Sequence, residues 1–370
     1  MQSGKALAEA ERVMVFCNAC RYCEGFCAVF PAMELRRNFC EPDLNYLANL
    51  CHNCRDCYYA CQYAPPHEFA LNIPQTLAEL RLNTYQKFCR PRLLAGLFRR
   101  NALMFPVITA AWIISIFLLT FYFRGSATIF ATHPGENAFY KVIAYDALVW
   151  PTAALVLLIF AILFSEFFTF WNGIGGKIRE LASLRAHCTA ARDALSLKYL
   201  DGGGIGCNYP DERFSMARRW LHHFVVYGLV LCFAATTIAA VYEHFLNWSA
   251  PYPVWSWPVL LGTTGGAAVL VGTGGLFYLK LRMDGAPATA RALSMDVSFL
   301  VVLFLTSLTG LVLLIVRTTN AMGTLLIIHL GLVAALFITM PYGKFIHALF
   351  RYAALLKNAV EQYRDKIQAA

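Results

Sequence analysis

Apolar residues along this chain gather into six long blocks separated by polar or glycine-rich connections. The blocks run near 102–123, 146–171, 221–246, 257–279, 297–316 and 322–349. A helix needs about 20 apolar residues to cross the hydrocarbon core of a bilayer, so each block predicts a transmembrane helix. The last is apolar as far as Met340, then continues past Pro341 into a more polar helical stretch containing His347. Residues 1–90 hold no such block and form a domain of their own, opening on the polar, mildly helical stretch 1–16. A basic amphipathic connector, 91–101, joins the two parts, with Arg90, Arg92, Arg99 and Arg100 placed at the level of lipid headgroups.

Composition supports this division. Hydrophobic residues make up 58% of the 370 and charged residues only 14%, against about 25% charged in a soluble domain. That excludes an ordinary soluble enzyme and a disordered chain. The net charge of +9 raises nucleic acid as a partner, but its distribution argues for a membrane. Twelve Lys and Arg precede the first block, eight lie in the loop 172–220, three in 280–296 and five from 341 onward. The other connections hold three, Arg124, Lys141 and Arg317. By the positive-inside rule both termini and the two basic loops are cytoplasmic, so no nucleic-acid partner is implied. The first residues, MQSGKALAEAERVMVF, have no apolar core of a secretory signal. The expected location is the bacterial inner membrane, multi-pass, against membrane lipid.

Nine of the 13 cysteines lie before residue 62. Cys17, Cys20, Cys23 and Cys27 form one C-x2-C-x2-C-x3-C run, and Cys51, Cys54, Cys57 and Cys61 form another. In a reducing cytoplasm clustered cysteines are metal ligands rather than disulfides. Three close thiolates wrap one [4Fe–4S] cubane, and the fourth cysteine of each run ligates the other cluster. The expected sets are therefore Cys17, Cys20, Cys23 and Cys61, and Cys51, Cys54, Cys57 and Cys27. Zinc is the rival, but zinc sites usually show two separated cysteine pairs. Ala28 and Gln62 follow the fourth cysteines where small bacterial ferredoxins have proline, and residues 28–50 read as helix. That favours a helical two-cluster domain of the kind found in succinate-dehydrogenase-type subunits. Cys40 and Cys89 read as free thiols.

Five of the nine histidines lie in or at the ends of the apolar blocks: His222, His223, His244, His329 and His347. An ionisable residue at membrane depth is a functional candidate by default. His329 and His347 are 18 residues apart, about five helical turns, so a continuous helix puts them on one face roughly 27 Å apart. By depth, His222 or His223 matches His347 on the cytoplasmic side, and His244 matches His329 on the other. Paired histidines on facing helices suit bis-His ligation of one or two b haems. With no C-x-x-C-H, a covalent c-type haem is excluded. His52, His67, His133 and His187 read as structural.

The loop Asp201–Pro210, DGGGIGCNYP, lacks the strand and the Lys-Ser/Thr of a phosphate-binding loop. It reads as a tight loop packed on the cysteine domain. Glu166 stands near the cytoplasmic end of the second block, either to deliver protons to a quinone or to snorkel to the interface.

These features carry a family likeness over essentially the whole chain. The two cysteine runs, the stretch from Cys57 to Phe69 (CYYACQYAPPHEF), the glycine loop 201–210 and Arg218–His223 (RRWLHH) resemble the tricarballylate-utilization protein B family, also called citrate-utilization protein B. The membrane half is also similar to the gamma subunit of respiratory nitrate reductase, which binds two b haems. The resemblance implies an all-α protein, with a helical two-cluster ferredoxin-like domain followed by a six-helix transmembrane haem-binding bundle. It implies an electron-transfer subunit that reoxidises the flavin of an FAD-dependent, tricarballylate dehydrogenase-like partner and reduces quinone, the mobile acceptor. Any catalysis in this chain is then limited to quinone reduction, because no dinucleotide fingerprint or acid–base set for substrate oxidation is present. Two rivals remain: the same conduit serving another flavoprotein or running from quinol to a reductase, and a tricarboxylate transporter or sensor with an iron–sulfur head.

Overall fold

The computed structural model describes residues 2–96 and 100–369. The connector's residues 97–99, Arg99 among them, lie outside the described residues. Among the described residues the regular structure is helical apart from a two-residue antiparallel pair, β1 (Cys207–Asn208) with β2 (Phe214–Ser215). The cysteine domain contains α1 (Gln2–Cys20), α2 (Val29–Glu34), α3 (Glu41–Leu50), α4 (Asp56–Tyr59) and α5 (Ile73–Phe88). The start of α5 is set locally: Asn72 accepts from the Gln75 N–H at 3.3 Å, and Pro74 occupies the first turn, where no donor is needed. A short turn of helix, α6 (Arg92–Ala95), begins the connector.

The membrane part holds α7 (Asn101–Ile129), the short α8 (Ala138–Val142), α9 (Tyr145–Gly173), α10 (Leu184–Leu195) in the long basic loop, α11 (Ala217–Phe245), α12 (Trp257–Arg282), α13 (Ala290–Val316) and α14 (Met322–Thr339). Among the described residues six helices are long and apolar enough to cross a membrane. Each overlaps one of the six apolar blocks. Outward-facing Leu118, Phe123, Leu157, Phe164 and Phe233 are exposed, as residues in contact with acyl chains would be. Helices α11 and α12 approach closely through glycines. A Cβ on Gly228 would meet the Gly265 carbonyl oxygen at 2.8 Å, and one on Gly272 would meet that of Leu221 at 2.7 Å. Without a hydrophobic drive in lipid, such close backbone contact is what holds helices together.

The sixth apolar block is not one helix. Helix α14 ends at Thr339, a 3-10 turn runs from Met340 to Tyr342, and Gly343 is extended before α15 (Ile346–Ala369) begins. Pro341 lacks the N–H that continuation needs. The counting that put His329 and His347 on one continuous helical face therefore does not hold. Nor is the C-terminal segment a loose tail. Helix α15 buries Phe350, Ala353, Ala354 and Leu356 against the cysteine domain. Phe350 stacks on Phe170 of α9 at 4.2 Å, and Glu361 accepts from Arg36 at 2.6 Å. The last helix thus fastens the cysteine domain to the membrane bundle.

Candidate functional site

The first cysteine site forms where α1 unwinds. Cys17 and Cys20 occupy its last turn, and Arg21 takes a left-handed φ of 55° that turns the chain back towards Cys23. Cys17, Cys20, Cys23 and Cys61 line one cavity of about 240 Å³ together with Phe30 and Tyr63. Burial, and then the neighbouring sulfurs of Cys23, Cys61 and Cys20, push the Cys17 thiol up to about 12. Cys20 is exposed, so this site opens at the surface.

The second site is closed. Cys51, Cys54 and Cys57 are buried. Left-handed residues at Asn53 and Arg55 wrap the chain around them, and the Asn53 N–H donates to the Cys51 Sγ at 3.4 Å. Cys27 joins this group: burial and then Cys51 push its thiol up to about 12. Burial, followed by Cys54, Cys51 and Cys27, raises Cys57 well above the usual thiol range. The structure thus brings Cys61 to the first run and Cys27 to the second. Sulfurs packed this way cannot all ionise without a compensating cation, which suits them to a positively charged metal core. Among the described residues no three His, Cys, Asp or Glu side chains converge to hold a single metal ion. The first set instead surrounds a volume, as the corners of a cluster would.

The glycine loop lies over the second site. The Asn208 N–H donates to Asp56 Oδ1 at 2.9 Å. Cys207 is buried in a cluster with Cys54 and Leu200. Gly206 has a φ of +98°, and a Cβ there would collide with the Ser215 carbonyl carbon at 2.4 Å. The loop is therefore a fitted cover for the cysteine domain.

Two of the membrane histidines come together. His222 of α11 and His347 of α15 face one another with ring centroids 6.2 Å apart. The His347 Nδ1–H donates to the Lys344 carbonyl at 2.5 Å, which leaves Nε2 free. His222 Nδ1 is buried with no hydrogen-bond partner. His223 Nε2 is likewise buried without a partner, but its ring lies against Trp220 and Tyr227 and not against His347. The other candidates are not assembled into a pair. His244 is exposed, and its Nε2 bonds the Tyr145 hydroxyl of α9 at 2.7 Å. His329 Nδ1 bonds the Thr309 hydroxyl of α13 at 3.0 Å and packs on Gly310. Among the described residues these two rings do not meet.

Sequence reasoning missed the arginines between the cysteine loop and the histidines. Arg218 donates to the Asn53 and His52 carbonyls at 2.6 and 3.1 Å. Arg351 donates to the Cys51 carbonyl at 2.7 Å. Each stands four residues from a histidine of the pair, on the same helical face. That spacing was visible, but their charge had been counted only as topology. Buried His52 registers their field: burial first, then Arg351, Arg81 and Arg218, hold it well below the usual imidazole range. Glu166 does not snorkel. It is fully buried, and Oε1 accepts from the Arg90 N–H at 2.8 Å, which ties the connector to α9.

Comparison with known proteins fits this layout. The citrate utilization protein B model matches residues 97–368, and the citrate utilization protein B Fer4-like domain matches 10–87. The chain belongs to the citrate utilization protein B family. Citrate utilization protein B of Escherichia coli is 48% identical over 363 residues, covering 97% of this chain and 93% of the relative. No solved structure matches. In this chain the Fer4-like match lies ahead of the six apolar helices.

Proposed function

We propose that this chain is a membrane electron conduit serving citrate or tricarballylate utilisation, taking electrons from the reduced flavin of an FAD-dependent, tricarballylate dehydrogenase-like partner and delivering them to quinone. Bound to the crossed cysteine sets and to His222 and His347, two [4Fe–4S] clusters and one b haem supply the one-electron carriers. The chain sits in the bacterial inner membrane with both termini cytoplasmic, as its basic loops argue.

One observation carries the reading: His222 and His347 face each other, each four residues along its helix from an arginine, Arg218 or Arg351, that grips the loop holding Cys51, Cys54 and Cys57. A metal bonded at about 2 Å to a nitrogen of each ring needs ring centroids roughly 6 Å apart, and 6.2 Å separates them. The Lys344 carbonyl fixes the His347 tautomer and ring orientation, the usual support of a ligating histidine. Exposed Cys20 lets the first site face a soluble partner, while the covered second site is kept from water and from stray oxidants. Arg218 and Arg351 hold the two parts at a fixed separation.

The test is an optical spectrum of detergent-purified protein with and without dithionite, together with iron and acid-labile sulfide analysis. The expected result is eight cluster irons per chain, as two [4Fe–4S] sites require, plus a reduced b-haem band. Stoichiometric zinc without sulfide, or no haem band, would sink the proposal.

A further inference from the structure

The two cysteine sites differ in the charge around them. Four guanidiniums surround the second. Arg218 and Arg351 bond carbonyls of the cysteine loop itself. Arg55 donates to the Asp284 carbonyl at 3.0 Å and lies over the Tyr209 ring at 4.6 Å. Arg81 donates to the Ala48 carbonyl at 2.8 Å. Among the described residues none of the four forms a salt bridge with a carboxylate. Arg55 Nε, Arg81 Nη2 and Arg351 Nε are moreover buried donors with no acceptor. Buried Asp56 of the same loop accepts from the Asn208 N–H rather than from any of the four; buried cations without a paired carboxylate are costly, so this arrangement calls for a further anion in their midst. Four thiolates around an iron–sulfur core supply net negative charge, and reduction adds one more.

Around the first site the picture is reversed. Arg12 is paired with Glu9 at 2.7 Å. Arg21 lies on the rim, exposed, with its Nε on the Asn18 carbonyl at 3.0 Å. Water and salt screen a charge in that position.

We infer that Arg55, Arg81, Arg218 and Arg351 form a collar that sets the reduction potential of the second cysteine site above that of the first. Burial and the Asp56 carboxylate, which acts on Cys27 and Cys54, work the other way, because a low-dielectric site and a neighbouring negative charge both disfavour the extra negative charge of reduction. Unscreened cations in that same low dielectric stabilise the added electron more strongly than they would in water, and the collar outweighs both. The consequence is a direction: a single electron placed on the outer site drops to the inner one, beside His222 and His347. This rests on the cluster assignment proposed above and adds a polarity that residue counting could not supply.

The experiment is a redox titration of the full-length protein in detergent, followed by paramagnetic resonance. The signal lost in Cys20→Ala identifies the first site. In the wild type, the second site should be at least tenfold easier to reduce, which is 59 mV for one electron. Arg351→Gln and Arg218→Gln should each lower the second midpoint by a similar factor and leave the first in place. Arg351→Lys, which keeps the charge, should hold the second midpoint within about threefold, under half of that 59 mV. A second site that titrates at or below the first overturns the inference, as does an Arg351→Lys variant shifted as far as Arg351→Gln. If the Gln variants fail to assemble the second site, the wild-type order and the Lys variant still decide. Failure of the conduit reading is separately visible as a missing b-haem band, which leaves the order of the two cluster midpoints unaffected.

Discussion

Both ends of the membrane bundle carry histidines, and only one end assembles them into a pair. At the end nearer the cysteine domain, His222 and His347 meet ring to ring. At the far end, His244 turns to Tyr145 and His329 to Thr309. Depth along a helix follows from counting residues, because the rise is fixed. Rotation about the axis does not, and rotation decides which side chains meet. At the near end it is fixed by glycine contacts between α11 and α12 and by the break at Met340–Gly343, which re-aims α15. At the far end each imidazole is satisfied singly, exposed His244 by the Tyr145 hydroxyl and His329 by that of Thr309.

The largest test of this contrast is removal of the histidines themselves. His347→Ala or His222→Ala should abolish the b haem, read as the reduced-minus-oxidised spectrum of purified protein. His223→Ala, His244→Ala and His329→Ala should each retain it. If His329→Ala empties the protein of haem while His347→Ala does not, the far end is the real site. Partial loss in both would mean two haems.

A smaller effect should follow from disturbing the helix contact that aims His222. A side chain on Gly272 would meet the Leu221 carbonyl oxygen at 2.7 Å and Val225 Cγ2 at 2.7 Å. Gly272→Val should push α11 away from α12 next to His222. Overpacking of this kind costs about 1–3 kcal/mol, so both the thermal midpoint in detergent and haem occupancy should fall. Gly262→Ala is the control, since its Cβ meets only the Ala235 Cβ at 3.6 Å. Equal behaviour of the two variants would show that α11 is not held by this contact.

How far the sequence could be read follows from the same distinction between position and rotation. The six helices were legible because length and hydropathy alone fix a span. Three sulfurs of each cysteine group were legible because short spacers leave them little choice; the crossing of Cys27 and Cys61 came from the general rule for paired runs and not from spacing. The choice of His222 over His223 was not, since adjacent residues point about 100° apart on a helix and nothing local fixes the zero. The docking of α15 was hidden because its inward face is alanine-rich, with Ala353, Ala354 and Ala359 buried. Arg218 and Arg351 were counted as topology because that count cannot separate a cation facing phosphate from one gripping a buried loop.

The clasp between the two domains offers a more modest test. Arg36 bonds both Asp43 and Glu361 at 2.6 Å, and all three side chains are largely buried. Glu361→Gln removes one charge but keeps the shape. Breaking a fully buried pair costs about 3–5 kcal/mol and an exposed one about 0–1 kcal/mol. Here Asp43 still compensates Arg36, so about 1–2 kcal/mol is expected between those limits. Limited proteolysis should then cut α15 faster while the haem band stays normal. A loss of haem as large as that of His347→Ala would mean that the clasp, and not the histidine pair, governs the site.

The smallest effect belongs to the far end. Tyr145→Phe deletes the hydroxyl that bonds His244 Nε2 at 2.7 Å and keeps the ring that packs on it. His244 is exposed, so its freed nitrogen can turn to water or lipid headgroups instead of remaining buried and unsatisfied. The expected cost is therefore a net hydrogen bond, about 0.5–1.5 kcal/mol at most, seen as a slightly lower thermal midpoint. The haem spectrum and both cluster signals should be unchanged. The double variant Tyr145→Phe with His244→Ala should be no less stable than His244→Ala alone, because the hydroxyl then has no imidazole to bond. A haem band that weakens in Tyr145→Phe would give His244 a role in cofactor binding, with Tyr145 as its support, and would erase the contrast between the two ends.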